Sequence, residues 1–91
     1  MQKLRIGLVG SGHIGKFHAR IYKELANAEL VYIADINPER LKVAQKLKVP
    51  FTSSHRDLIG KVDAVSIAVP TRFHYEVARD FLESGTHVLI E

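Results

Sequence analysis

The chain has 91 residues, 46% of them hydrophobic and 25% charged, which is the composition of an ordinary folded protein with one domain over residues 1–91. Its net charge of +3 is spread over 13 basic and 10 acidic residues, without the basic runs and interleaved aromatic side chains typical of nucleic-acid binding. The absence of cysteine excludes disulfides and thiol catalysis, and no apolar run approaches the roughly 20 residues of a membrane span. We therefore expect a cytoplasmic protein with neither a membrane nor a nucleic-acid partner.

The first two elements are a strand and an amphipathic helix. Leu4–Val9 is an apolar run that ends at glycine, which is typical of a strand buried on both faces of a parallel sheet. Apolar residues then recur at helical spacing, with charged residues between them, and predict a helix over residues 13–26. We expect the apolar side of this helix to pack on the sheet through Ile14, Phe17, Ile21 and Leu25.

The second strand is predicted over residues 30–34 and closes at Asp35. Asn37 and Pro38 mark the start of a second helix, because an asparagine side chain accepts hydrogen bonds from free amides and proline suits the first helical position. This helix is predicted to end near Lys46.

A short third strand is predicted over residues 49–52, because Pro50 lacks a ladder donor and is tolerated mainly at a sheet edge. Ser54 and Asp57 resemble a capping box, in which a serine and an acidic residue three positions later satisfy free amides at a helix start. We therefore expect a brief helix that ends at Gly60.

The clearest strand pattern covers residues 64–69 and predicts the fourth strand, which Pro70 ends. Thr71 is predicted to cap a helix that ends at Gly85, and His87–Ile90 is predicted to be the fifth strand. The inner face of that helix is predicted to comprise Phe73, Val77 and Phe81.

Five strands that alternate with four helices predict an α/β fold. Such strands pair in parallel through right-handed crossovers. The expected architecture is a doubly wound, Rossmann-like parallel sheet with strand order 3-2-1-4-5. Ligands of such sheets bind at the carboxyl ends of the strands.

Residues 10–15 fit the pattern G-x-G-x-x-G in the required position, between the first strand and the first helix. Gly10 permits a tight turn, Gly12 lets the backbone approach a pyrophosphate, and Gly15 allows close packing of helix on strand. Amides at the helix start bind phosphate oxygens with help from the helix dipole. The sequence therefore predicts that a dinucleotide cofactor contacts Gly10, Ser11, Gly12, His13, Ile14 and Gly15.

Asp35 supplies the second half of this dinucleotide pattern. It lies about 20 residues after Gly15, at the end of the second strand, where an acidic side chain accepts hydrogen bonds from the adenosine ribose. Its charge would repel a 2′-phosphate at ~4 Å by about 1 to 4 kcal/mol per unit charge near a surface, so the sequence favours NAD over NADP. Arg40 argues in the opposite direction, because its cationic side chain can swing towards a 2′-phosphate and would favour NADP.

Pro70 and Thr71 follow the fourth strand, near the switch between strands one and four where open α/β sheets bind their ligands. A purely structural interpretation stays open, in which Pro70 only ends the strand and Thr71 only caps the helix. Their position nevertheless predicts that they lie beside the nicotinamide end of a bound cofactor.

Four segments together resemble the N-terminal domain of the Gfo/Idh/MocA oxidoreductases. They are residues 10–18, residues 34–35, residues 69–74 with a histidine three positions after Thr71, and the final H-V-L-I-E. The resemblance implies oxidation of sugars, inositols or related alcohols with NAD or NADP. It also implies that Glu91 approaches the nicotinamide ribose and that the same end of the site is lined by Pro70, Thr71 and His74.

In that family the glutamate is followed by lysine and proline, and the lysine is the catalytic acid or base. The sequence stops at Glu91, so the resemblance implies that this lysine lies outside it. The same holds for a second domain, which would supply the substrate pocket and most contacts of a homo-oligomer. We therefore expect residues 1–91 to be the cofactor part of a longer oxidoreductase. By itself it would bind NAD without turning over a sugar or polyol.

The five histidines do not predict a metal site, because the two that are closest in one helix, His13 and His18, are five positions apart. His55 and His87 are interpreted as surface or strand-end residues, and His18 as a helix residue held by local hydrogen bonds. His74 alone is predicted to face the cofactor.

Two other functions stay open. One is a stand-alone module that senses the ratio of NAD to NADH without catalysis, which only the short length favours. The other is an S-adenosylmethionine-dependent enzyme, because such enzymes also have a glycine loop and an acidic residue after the second strand. The position of Gly15 in the helix start and the proline-threonine turn after the fourth strand favour the dinucleotide.

Overall fold

The computed structural model describes residues 3–24 and 27–90, in which five parallel strands form one sheet with the predicted order β3-β2-β1-β4-β5. The strands are β1 (Leu4–Val9), β2 (Ala28–Ala34), β3 (Phe51–Thr52), β4 (Ala64–Ile67) and β5 (His87–Ile90). The helices are α1 (His13–Glu24), α2 (Leu41–Leu47) and α3 (His74–Glu83), and 3₁₀ turns cover Pro38–Arg40, His55–Leu58 and Thr71–Phe73. None of these described helices is long and apolar enough to cross a bilayer.

The core lies on both faces of the sheet, because successive side chains of a strand point to opposite sides. On one face, Leu8 of β1 belongs to a buried cluster with Ala19 of α1 and Ala44 of α2. On the other, Val9 belongs to a cluster with Val77 and Phe81 of α3, two of the three residues predicted for that inner face. The helices therefore cover both sides, as a doubly wound sheet requires.

The inner side of α1 differs from the prediction. Three of the four side chains expected to pack on the sheet are instead exposed: Ile14 by 57%, Phe17 by 61% and Ile21 by 36%. The fourth, Leu25, and the predicted helix end at residue 26 lie outside the described residues. The helix instead turns Gly15 and Ala19 towards the sheet, and a β-carbon on Gly15 would collide with the carbonyl oxygen of Gly10. This close approach fixes the rotation of α1 and leaves its apolar stripe facing water.

Three strand boundaries were predicted wrongly, and the pairing partners explain two of them. β2 begins at Ala28 rather than residue 30, because Ala28 pairs with Leu4 at the start of β1. β4 ends at Ile67 rather than residue 69, because its partner in β1, Val9, is the last residue of that strand. β3 contains only two residues, since the proline before it cannot donate to a ladder.

One of the three predicted helix caps is present. The Asn37 side chain accepts a hydrogen bond of 3.0 Å from the backbone amide two residues later, as predicted. The caps predicted at Ser54 and Thr71 are wrong, since neither 3₁₀ turn has a side-chain cap. The Asp57 carboxylate accepts a hydrogen bond from the hydroxyl of Thr52, so it is bound to the end of β3 and does not complete a capping box.

Candidate functional site

A cleft of about 690 Å³ opens at the carboxyl ends of β1, β2 and β4. Ligand pockets commonly have about 300 to 1,000 Å³, so the cleft has the size of a binding site. It lies where the strand order reverses between β1 and β4, and the loops after these strands diverge. Its polar side chains come from the connections after β2 and β3 and from α3, and they are Asp35, Asn37, Arg40, Ser53, His55 and Glu76.

The loop between β1 and α1 has the geometry that its glycines predict. Gly10 has a φ of +88°, and its amide donates a hydrogen bond of 2.7 Å to the carbonyl of Ala34 at the end of β2. Apart from atoms adjacent in the chain, a β-carbon on Gly12 would have one described neighbour within 4 Å, the Arg40 guanidinium at 3.9 Å. The space in front of the Gly12 backbone is therefore open to a phosphate group.

The start of α1 supplies the hydrogen-bond donors for such a group. The first helical hydrogen bond runs from the amide of Lys16 to the carbonyl of Gly12, at 2.7 Å. The amides of His13, Ile14 and Gly15 therefore have no partner inside the helix. No acidic residue lies in the first turn of this 12-residue helix, so its positive dipole end is not compensated there. Together these features suit a bound anion.

Asp35 is held by the glycine loop through hydrogen bonds. Its Oδ2 accepts from the amide of Ser11 at 2.8 Å and from the Ser11 hydroxyl at 3.2 Å, and its Oδ1 accepts from the amide of Asn37 at 2.9 Å. A carboxylate offers about four acceptor positions, so Oδ1 keeps capacity for one further donor. The buried Ser11 side chain thus contacts Asp35, and Asp35 keeps a free acceptor position beside the glycine loop.

Arg40 lines the cleft beside the glycine loop. It is the last residue of the 3₁₀ turn Pro38–Arg40, and that turn is fixed by the Asn37 cap at its start. The half-buried Arg40 brings a positive charge within 3.9 Å of the place where a Gly12 β-carbon would lie. A cation at this position favours an anionic ligand.

The far end of the cleft contains residues that were not predicted from the sequence. Ser53 and His55 follow β3, and Glu76 lies on α3. Apolar side chains that line the same cleft include Ile36, Val69, Phe73 and Val77. Ser53 comes directly after a strand, so the rule that ligands bind at the carboxyl ends of strands would have found it. No sequence signal marked His55 and Glu76.

The predicted nicotinamide-side residues are only partly brought together. Pro70 lines the cleft, whereas Thr71 is exposed and does not. His74 is half-buried, and its Nε2 donates a hydrogen bond of 2.7 Å to the carbonyl of Val69. This bond fixes the turn between β4 and α3. Glu91 lies outside the described residues.

Two further histidines have defined surroundings. His55, interpreted as a surface or strand-end residue, is mostly buried and bonds to Asp80 with 2.7 Å between Nε2 and Oδ2. His18, interpreted as held by local hydrogen bonds, has its Nδ1 within 3.4 Å of the hydroxyl of Ser66, on β4. Among residues 3–24 and 27–90, no group of three histidine or acidic side chains could hold a metal ion.

Comparison with known proteins gives a match over nearly the whole chain. A family model for the Gfo/Idh/MocA oxidoreductases, described as having an NAD-binding Rossmann fold, matches residues 4–91. The UDP-N-acetylglucosamine 3-dehydrogenase of Acidithiobacillus ferrooxidans is 40% identical over all of this chain and 29% of its own length. The inositol 2-dehydrogenase of Rhizobium meliloti is 34% identical over 97% of this chain and 27% of its own length.

Solved structures give the same result. A scyllo-inositol dehydrogenase from Lactobacillus casei, crystallised with bound NAD(H) and scyllo-inositol, superimposes with a TM-score of 0.89. It is 30% identical in sequence, and the match covers 98% of this chain and 28% of the dehydrogenase. The chain thus spans less than a third of the length of each of these relatives.

Proposed function

This chain belongs to the Gfo/Idh/MocA family of oxidoreductases, with the NAD-binding Rossmann fold of that family, and we propose that it binds NAD(H) in the cleft at the carboxyl ends of its strands. The observation that carries this proposal is the pair of hydrogen bonds from Ser11 of the glycine loop to Asp35. They bring a ribose acceptor to the edge of a phosphate loop, which is the combination that dinucleotide binding needs.

The adenosine half of the cofactor is proposed to use four features of the chain. The pyrophosphate lies in front of Gly12 and accepts hydrogen bonds from the amides of His13 and Ile14. The ribose donates a hydrogen bond to Oδ1 of Asp35, the oxygen that has capacity left. The adenine contacts apolar side chains that line the cleft away from the turn after β4, such as Ile36 and Val77.

The nicotinamide half is proposed to lie towards the turn after β4. Pro70 lines the cleft there, and the hydrogen bond from His74 to the carbonyl of Val69 holds that turn in place. By resemblance to the family, Thr71 and Glu91 also approach this end of the cofactor. The nicotinamide ring would accept or donate the hydride, and the chain's own residues bind and orient it.

We propose NAD as the preferred form over NADP. The Asp35 carboxylate lies where a 2′-phosphate would have to fit, and repulsion between unit charges at ~4 Å is about 1 to 4 kcal/mol near a surface. Arg40 also lines the cleft and would attract a 2′-phosphate. Because its guanidinium lies next to Gly12, it is positioned for the pyrophosphate, which both cofactors carry.

The reaction is proposed to be hydride transfer between the nicotinamide and an alcohol carbon of a sugar or an inositol. The relatives named above act on such alcohols, and one binds scyllo-inositol together with NAD(H). We also propose that residues 1–91 bind cofactor without turnover. Rate acceleration needs a proton-transfer group and a substrate pocket, and by family resemblance neither is expected within these residues.

Calorimetric titration of the 91-residue chain tests the proposal. We expect NAD to bind and NADP to bind at least about fivefold more weakly, which is about 1 kcal/mol. S-Adenosylmethionine serves as the control ligand, because its binding in place of NAD would refute the dinucleotide assignment. NADH formation with scyllo-inositol, glucose and UDP-N-acetylglucosamine should be absent, and steady turnover would refute the proposed inactivity of these residues alone.

A further inference from the structure

His55 is held in a fixed position at the far end of the cleft. It begins the 3₁₀ turn after β3, and its side chain is only 22% exposed. Its Nε2 lies 2.7 Å from Oδ2 of Asp80, and its ring centroid lies 5.7 Å from that of Phe81 in the core. Glu76, the other titratable side chain in this end of the cleft, is exposed and has no hydrogen bond to a described residue. Of these two side chains, His55 is therefore the one already held in place before a ligand binds, whereas Glu76 is not fixed by a hydrogen bond.

The partner of His55 determines which ring nitrogen carries the proton. The hydrogen bond with His55 lowers the pKa of Asp80, and the nearby guanidinium of Arg56 at 3.3 Å acts in the same direction. An ionised carboxylate only accepts hydrogen bonds, so Nε2 of His55 must donate. In the neutral ring the other nitrogen, Nδ1, is then an acceptor.

This Nδ1 is available to a ligand. Within residues 3–24 and 27–90 it has no hydrogen-bond partner, and no buried side-chain nitrogen or oxygen there lacks one. Nδ1 is therefore reachable from outside, on a residue that lines the cleft. Apolar side chains that line the same cleft, such as Ile36 and Val77, are suited to the faces of a flat ring.

We propose that His55 selects the purine of the dinucleotide, with Nδ1 accepting a hydrogen bond from the 6-amino group of adenine. The inference rests on the proposed binding of NAD in this cleft. Hypoxanthine differs from adenine at that position by carrying a carbonyl oxygen, which is an acceptor. Two acceptors would then face each other, and the hydrogen bond would be lost.

The ratio of affinities for NAD and nicotinamide hypoxanthine dinucleotide tests this inference. We expect the 91-residue chain, titrated at pH 8.5, to bind NAD about three- to tenfold more tightly, the range of one hydrogen bond. His55→Leu should bring the ratio close to one. His87→Leu is the matched control, because this exposed histidine begins β5 at the other end of the sheet and should leave the ratio unchanged.

Two conservative variants separate cofactor selection from a structural role. The side-chain amide of asparagine lies at the same number of bonds from Cβ as Nδ1, whereas that of glutamine matches Nε2. His55→Asn should therefore still reach the purine while losing the contact with Asp80. Because its amide can present either the oxygen or the NH₂ group, this variant should bind both dinucleotides and lose most of the preference for NAD. His55→Gln should keep that contact, and with it the melting temperature, while losing the preference.

Three results would overturn the inference. The first, equal affinity of the unsubstituted chain for both dinucleotides, needs no variant and so does not depend on variant folding. The second is an unchanged ratio in His55→Leu, which would leave His55 only as a link between the 3₁₀ turn and Asp80. The third is failure of the unsubstituted chain to bind either dinucleotide. Of the three results, only this one would also refute the proposed function.

Discussion

Gly12 and Gly15 belong to the same loop pattern, yet the structure predicts opposite results when each is replaced by alanine. A methyl group on Gly15 would collide with backbone atoms of Gly10, which cannot rotate away as a side chain would. Such overpacking costs typically about 1 to 3 kcal/mol. At about 4 to 8 °C per kcal/mol for a domain of this size, Gly15→Ala should lower Tm by roughly 4 to 24 °C.

A methyl group on Gly12 meets open space, apart from the movable Arg40 side chain, and Gly12 does not have a positive φ. The loss of unfolded-state entropy favours alanine by about 0.4 to 1 kcal/mol, and weaker capping of α1 opposes it by a similar amount. The Tm of Gly12→Ala should therefore stay within about 5 °C of the unsubstituted chain. The affinity for NAD should fall at least about tenfold, because the methyl group lies in the path of the pyrophosphate.

Thermal unfolding followed by circular dichroism and titration with NAD measure both quantities on both variants. The reasoning is refuted if Gly12→Ala binds NAD as tightly as the unsubstituted chain. It is equally refuted if Gly15→Ala melts at the same temperature, since the contact with Gly10 would then not limit the approach of α1 to β1.

Three further predictions concern single polar side chains. Asp35→Ala should weaken NAD and improve the relative affinity for NADP, measured by titration with both; a preference for NADP in the unsubstituted chain would contradict the role of Asp35. His74→Ala should lower the free energy of unfolding in urea by about 1 kcal/mol, because the carbonyl of Val69 loses its hydrogen bond, and an unchanged midpoint would speak against that role. The hydrogen bond from the Arg5 side chain holds the pKa of Asp63 below its usual 3.8. The ionised Asp63 carboxylate therefore stabilises the folded chain above about pH 4, and this stabilisation is lost as the pH falls through the lowered pKa of the folded state. Asp63→Asn should therefore flatten the fall in Tm on acidification, and an equally steep fall would exclude this carboxylate as a source of acid sensitivity.

The sheet order and the glycine loop could be predicted because they follow from local patterns. The sequence alternates apolar runs of strand length with segments whose apolar residues recur at helical spacing. Because the crossovers between parallel strands are right-handed, only a few sheet topologies are compatible with this alternation. The positive φ of Gly10 and the close approach at Gly15 are features for which glycine is required, so the sequence marks them directly. Asp35 could also be predicted, because it follows the second strand at the sequence distance from the glycine loop that dinucleotide-binding domains share.

The rotation of α1 could not be predicted from periodicity. Apolar residues recur on the side of Phe17 and small residues on the side of Ala19, and hydrophobic spacing alone favours the former as the buried side. The close contact between Gly15 and Gly10 instead places the side with the small residues against the sheet. This contact depends on the path of the loop in space, which periodicity does not reveal. His55 was missed for a similar reason, because its partner Asp80 is 25 residues away in sequence.

The hydrogen bonds between Ser11 and Asp35 constrain how cofactor preference can evolve in this fold. A substitution of Asp35 by an apolar residue also leaves the buried amide and hydroxyl of Ser11 without their acceptor. A buried polar group without a partner costs about 1 to 3 kcal/mol, so the mutation proposed to relieve repulsion of a 2′-phosphate would also destabilise the loop proposed to bind the pyrophosphate. The two positions are therefore epistatic. A lineage moving from NAD to NADP would keep an uncharged acceptor at position 35, such as asparagine, or pass through an intermediate that binds both dinucleotides poorly.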